Sequence, residues 1–150
     1  MNNVSLVLIP GLGCDERLWL PVAAHLPRAM PTTISLAHMH AADTTIAAMA
    51  TRLLAQTPGR LVLCGASMGG IIAMEAARQV PERIAGLALC GSNARPESPE
   101  MRVLRESAIE MFEAGEVDDL IRANVAMAFH PSAAANAALV QQYLDMVLSA

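Results

Sequence analysis

The run Val4-Ser5-Leu6-Val7-Leu8-Ile9 is apolar at almost every position and is halted by Pro10-Gly11-Leu12-Gly13. An apolar run without alternation, closed by turn residues, predicts a strand buried on both faces. Leu61-Val62-Leu63-Cys64, bounded by Gly59-Arg60 and Gly65, repeats that pattern, and so does Ile84-Ala85-Gly86-Leu87-Ala88-Leu89-Cys90. Thr32-Thr33-Ile34-Ser35-Leu36, preceded by a turn between Pro27 and Pro31, adds a strand rich in β-branched residues. Between these runs the spacing changes. Ile46, Met49, Leu53 and Leu54 recur at helical intervals, which predicts a helix over Ile46–Gln56, capped by Asp43 or Thr44 and ended by Thr57-Pro58-Gly59. Leu18–Leu26, with Pro21 in its first turn, and Ile71–Gln79, stopped by Pro81, predict further helices, and Ala37–Ala42 reads as a loop.

Strict alternation of strand and helix implies right-handed crossovers and an α/β fold: a three-layer parallel sheet of about four strands with flanking helices. Ligands of such sheets bind beyond the carboxyl ends of the strands, where Gly11–Gly13, Ser67 and Gly91-Ser92 fall. After Cys90 the alternation stops. A loop over Gly91–Pro99 leads into helical patterns over Glu100–Ala114, Val117–Phe129 and Ala133–Ser149, separated by Gly115 and by His130-Pro131. The expected organisation is an α/β core over residues 1–92 followed by a helical cap segment over 93–150.

Composition narrows the function classes. Of 150 residues, 54% are apolar, 16% charged and 3% aromatic, which is globular rather than disordered. A mean hydropathy of +0.40 is high, as a sheet buried on both faces or an apolar surface awaiting a partner would require. The net charge of −4 and the lack of a Lys/Arg cluster exclude nucleic acid and anionic membrane as expected partners. Met1-Asn2-Asn3-Val4 carries no basic region of the kind that opens a signal peptide, and no apolar run approaches a membrane span. Cys14, Cys64 and Cys90 form no metal-ligand spacing and suggest a reducing, cytoplasmic setting; no cofactor and no metal is expected.

The chemistry concentrates in Gly65-Ala66-Ser67-Met68-Gly69-Gly70. Gly-x-Ser-x-Gly between a buried strand and a helix is a sharp turn that forces the serine into a strained backbone conformation. Side chains at Gly65 and Gly69 would collide with the neighbouring strand and helix. The turn lifts the Ser67 hydroxyl out of the sheet at a helix N-terminus, which makes Ser67 the candidate nucleophile. A phosphate-binding loop is a poor rival, because neither its Gly-Lys-Ser/Thr ending nor the dinucleotide spacing is present.

These residues, with Leu8-Ile9-Pro10-Gly11-Leu12-Gly13 and Pro81-Glu82-Arg83 before a strand, resemble the α/β-hydrolase superfamily, in its small capped esterase, thioesterase and lactonase-like branch. The resemblance runs from about Val4 to Gly91, with Pro10 where the family usually has histidine. It implies an oxyanion hole made by the backbone N–H groups of Leu12 and Met68. It also implies a triad in the order Ser, Asp or Glu, His, with the last two after further strands. Here His25, His38 and His40 precede Ser67, while Asp118, Asp119 and His130 follow it in helical segments rather than after strands. The chain therefore reads as the N-terminal portion of an incomplete α/β-hydrolase fold, its triad acid and histidine missing. The strand Ile84–Cys90 is then an uncovered edge, open to self-association or to a complementing C-terminal part. The implied activity is hydrolysis of a small ester, thioester or lactone through an acyl-serine intermediate. Met101, Leu104, Ile109, Met111, Phe112, Met127 and Phe129 are candidates for an apolar acyl pocket, or else for ordinary helix packing. The alternatives are a non-catalytic binding or interaction module, or an acyltransferase or carbon–carbon hydrolase of the same fold.

Overall fold

The computed structural model describes residues 4–27, 31–34 and 43–149. It divides into two compact units, Met1–Ala94 and Arg95–Ala150. The first holds four strands: Val4–Ile9 (β1), Thr32–Ile34 (β2), Arg60–Ala66 (β3) and Ile84–Cys90 (β4). All pair in parallel, in the order β2-β1-β3-β4. The chain thus leaves β1 for one edge, returns past it to β3 and continues to the other edge. With right-handed crossovers, the first connection lies on one face of the sheet and the later helices on the other. The gap between the carboxyl ends of β1 and β3, where the direction of winding reverses, is the natural ligand crevice of such a sheet.

The helices of this unit are Leu20–Ala23 (α1), Ile46–Gln56 (α2) and Met68–Gln79 (α3). Val7 and Ile9 of β1 and Leu61 and Leu63 of β3 share one core with Met49, Ala50, Leu53 and Leu54 of α2 and Ile72, Ala73 and Ala76 of α3. Leu8, only 1% exposed, is buried from the opposite side of β1, so the sheet is covered on both faces there. Burying each such aliphatic side chain contributes about 1.5–3 kcal/mol. The buried positions of α3 include Gly69, Gly70, Ala73 and Ala76, and this small-residue face lets the helix backbone approach β1 and β3 closely.

Local chemistry moves several boundaries from their expected places. The helix expected over Leu18–Leu26 is a 3₁₀ turn, Glu16–Leu18, followed by the short α1. Asp15 caps that turn, accepting the Arg17 N–H at 2.8 Å. The α2 cap is Thr45, whose hydroxyl accepts the Ala48 N–H at 3.1 Å, and not Asp43 or Thr44. Asp43 is engaged elsewhere, receiving Arg52 Nε at 2.6 Å. Helix α3 starts at Met68 rather than Ile71, because the elbow serine itself stands at the cap position. Arg83 explains the Pro81-Glu82-Arg83 stretch: Nε donates to Gly59 O at 2.9 Å and Nη1 to Leu54 O at 3.2 Å. Its Nη2 donates to Thr57 O, so the guanidinium closes the carbonyl end of α2 from the start of β4. Ser35, Leu36 and the loop expected over Ala37–Ala42 lie outside the described residues.

The second unit is helical: Pro99–Glu113 (α4), Val117–Asn124 (α5), Pro131–Ala134 (α6) and Ala137–Val147 (α7). Ser98 caps α4, accepting the Met101 N–H at 3.3 Å. Gly115, at φ 79°, ends the α4 segment, with its N–H on Phe112 O at 3.1 Å and that of Glu116 on Met111 O at 2.9 Å. The helix expected over Val117–Phe129 tightens to a 3₁₀ turn at Val125–Ala128. The one expected over Ala133–Ser149 is broken at Asn136, whose side chain caps α7 through Leu139 N–H at 3.2 Å. Phe129 packs edge-on against Tyr143, ring centroids 5.3 Å apart. No helix of the described residues is long and apolar enough to cross a membrane.

Candidate active site

Ser67 stands between the end of β3 and the first residue of α3, at φ 50° and ψ −117°. Among the described residues it is the only non-glycine with positive φ. Such a conformation costs of order 1–3 kcal/mol and persists only where its surroundings enforce it. The enforcement comes from backbone crowding. A Cβ on Gly65 would lie 2.3 Å from Gly69 C and O, and one on Gly69 would lie 2.3 Å from Ile9 O and 2.5 Å from Pro10 O. Strand β3, the first turn of α3 and the end of β1 therefore meet with no room for side chains, as the glycine spacing predicts.

Hydrogen bonds hold the turn from the side of β4. The Ser67 N–H donates to Cys90 O at 2.8 Å. The Ser67 carbonyl accepts Gly70 N–H at 3.0 Å and the Ser92 hydroxyl at 2.7 Å. The Ser67 side chain is exposed, and among the described residues no group hydrogen-bonds its Oγ. Met68 opens α3, so its N–H has no intrahelical acceptor and faces outward at the positive end of the helix.

The first loop lies alongside. A Cβ on Gly11 would be 3.4 Å from both Ser67 Cβ and Ala66 O, which places the Gly11 backbone against the serine. Gly11–Cys14 is a tight turn, closed by Cys14 N–H on Gly11 O at 3.1 Å, with Gly13 at φ 68°. Leu12, at the tip, exposes 57% of its surface. The Gly11 backbone and the first residue of α3 thus both adjoin Ser67 at the carboxyl ends of β1 and β3.

The neighbouring thiols are poor competitors as nucleophiles. Burial, with Asp15 adding to it, pushes the Cys14 thiol up. Burial and the adjacent Cys90 push the Cys64 thiol to about 11. Both therefore stay protonated near neutral pH.

The two described histidines, His25 and His130, are occupied in other ways. His25 Nδ1 lies 2.7 Å from Pro21 O, to which it donates. His130 caps α6, with Nδ1 2.8 Å from Ser132 Oγ. Asp118 and Asp119 lie in the first turn of α5, where carboxylates favour the helix dipole. His38 and His40 lie outside the described residues. Of the apolar candidates, Met101, Leu104, Ile109, Phe112 and Met127 are exposed, Met111 is half-buried, and Phe129 is committed to Tyr143. The sequence places Gly91-Ser92 at the ligand-binding end of the sheet but assigns the Ser92 hydroxyl no specific partner.

Comparison with known proteins gives the family. The chain matches the model of the alpha/beta hydrolase family over residues 6–148. It is 32% identical over 106 residues to a pimeloyl-[acyl-carrier protein] methyl ester esterase of Aromatoleum aromaticum, covering 65% of this chain and 42% of that one. It is 32% identical over 100 residues to the biotin biosynthesis bifunctional protein BioHC of Cellvibrio japonicus, covering 63% of this chain and 20% of that one. Among solved structures, a thermophilic esterase from Thermogutta terrifontis superposes with a TM-score of 0.78 at 26% identity, over 98% of this chain and 58% of that one. The chain thus spans less than half the length of these curated relatives.

Proposed function

Because the chain belongs to the alpha/beta hydrolase family, we propose that it is an ester hydrolase whose nucleophile is Ser67, acting through an acyl-serine intermediate. The observation that carries this reading is the positive-φ backbone at Ser67, enforced by Gly65 and Gly69. Ser67 Oγ attacks the acyl carbonyl. The negative charge that develops on the carbonyl oxygen is held by the N–H groups of Leu12 and Met68, each worth about 10²–10³ in rate. Collapse expels the alcohol or thiol, and water then releases the acid and frees the serine. The substrate class is a small ester, thioester or lactone, a reading supported by the esterase relatives.

Attack needs a base to take the hydroxyl proton. We assign the base and its acid partner to a complementing C-terminal part. The support is that no described residue hydrogen-bonds Ser67 Oγ and that the relatives are longer than this chain. The same observation favours a second reading, a non-catalytic binding module that keeps the elbow.

A fluorophosphonate probe separates the two. With the complementing part supplied, wild-type chain is expected to gain one phosphonyl group, mapped to the peptide containing Ser67, and Ser67→Ala none. Absence of labelling in the chain alone, with labelling in a longer version that carries the complementing part, would support the assignment of the base to that part, and absence in both would leave the binding module as the better account. Product analysis with ester, thioester and amine acceptors would then distinguish hydrolysis from acyl transfer.

A further inference from the structure

We infer that Ser92 is a positioning residue for this site: its hydroxyl fixes the peptide between Ser67 and Met68 in the orientation that serves both nucleophile and oxyanion. The inference rests on the reading of Ser67 as nucleophile. It begins from the planarity of the peptide bond. The carbonyl of Ser67 and the N–H of Met68 belong to one rigid trans unit and point in opposite directions, so whatever fixes the carbonyl aims the amide. Ser92 Oγ donates to that carbonyl at 2.7 Å. Its other neighbour, Cys90 O, is 3.4 Å away, too far to compete for the single hydroxyl proton.

Two further features build this contact. Gly91, at φ 60°, turns the chain sharply where β4 ends, which brings residue 92 back toward the elbow. A Cβ on Gly70 would lie 1.9 Å from Ser92 Oγ and 2.6 Å from its Cβ. The second glycine of Gly69-Gly70 is thus the one that admits the hydroxyl, a task outside the Gly-x-Ser-x-Gly pattern. Together with Ser67 N–H on Cys90 O at 2.8 Å, the end of β4 grips the strained residue on both of its peptide units.

The test is Ser92→Ala beside Ser92→Thr, which keeps the donor. Amide hydrogen exchange of the intact chain is expected to quicken about tenfold at the elbow peptides in Ser92→Ala, with α2 and β1 unchanged and Ser92→Thr close to wild type. The second-order rate of phosphonylation at Ser67 is expected to fall by the same order or more in Ser92→Ala, and to be restored in Ser92→Thr. Elbow exchange equal to wild type in Ser92→Ala, or acceleration spread evenly over the unit, would overturn the inference. A wild-type chain inert to the phosphonate even with the complementing part supplied counts against Ser67 as nucleophile, and the exchange profile then decides by itself whether Ser92 holds the peptide.

Discussion

A methyl group at position 65 would have to share space with the backbone of Gly69, which cannot move without unseating α3 from the sheet. Gly65→Ala is therefore expected to cost at least about 3 kcal/mol, the upper part of the range for an overpacked site, because the colliding atoms are main chain. Gly86 provides the control. A Cβ there would meet nothing closer than Val62 Cγ2 at 3.7 Å, so Gly86→Ala is expected to stay within about 1 kcal/mol of wild type. Urea unfolding of the two variants checks the contrast, and a mild Gly65→Ala would mean that the elbow is looser than its spacing implies. At this scale the sequence was informative, because the steric demand of a strand–turn–helix corner is local. The Ser92 contact was not legible, since a bond between residues 25 apart depends on the register of β4 on β3.

Elements are joined by a few polar contacts at their ends. Arg83 ties the carbonyl end of α2 to the start of β4 through Leu54, Thr57 and Gly59. Arg83→Ala is expected to lower stability by about 2 kcal/mol, in the range for hydrogen bonds from a charged donor, with a parallel drop in melting temperature. Gln79 links α3 to α2, its Nε2 on Ala47 O at 3.0 Å and its Oε1 receiving Thr51 Oγ1 at 3.0 Å. Glu75 steadies that link. The Arg78 guanidinium, and after it the Gln79 amide, hold the Glu75 carboxyl at about 2, below its ordinary 4.5. Because the folded value is the lower one, the contribution is full above the ordinary value and is lost as pH falls through the folded one. The difference in melting temperature between wild type and Glu75→Gln is thus expected to be constant near neutral pH and to vanish between 4.5 and about 2. A difference that persists in acid would dissociate the carboxylate from the link. β1, α2 and β4 were legible to their ends, because Pro10, Pro58 and Gly91 stop them chemically. The cap of α2 was not: Asp43 or Thr44 was expected, whereas Thr45, next in line, caps the helix and Asp43 pairs with Arg52. The break before α7 left a signal in Asn136, a capping side chain set among alanines.

At the scale of the molecule, β4 is an edge of the sheet among the described residues. Leu87 and Leu89 are 43% and 42% exposed, and the strand carries neither charge nor proline. Sedimentation velocity over rising protein concentration is expected to show association, and Leu87→Lys or Leu89→Lys to suppress it without loss of helical content. A single monomeric species throughout would show that the edge is quiet. The strained backbone at Ser67 also bears on the molecule's endurance to heat. Glycine accepts φ 50° without penalty, so Ser67→Gly is expected to melt a few degrees above both wild type and Ser67→Ala, as relief of roughly 1–3 kcal/mol implies. Reactivity and thermal endurance pull position 67 in opposite directions, and the serine found there is the choice that sacrifices robustness.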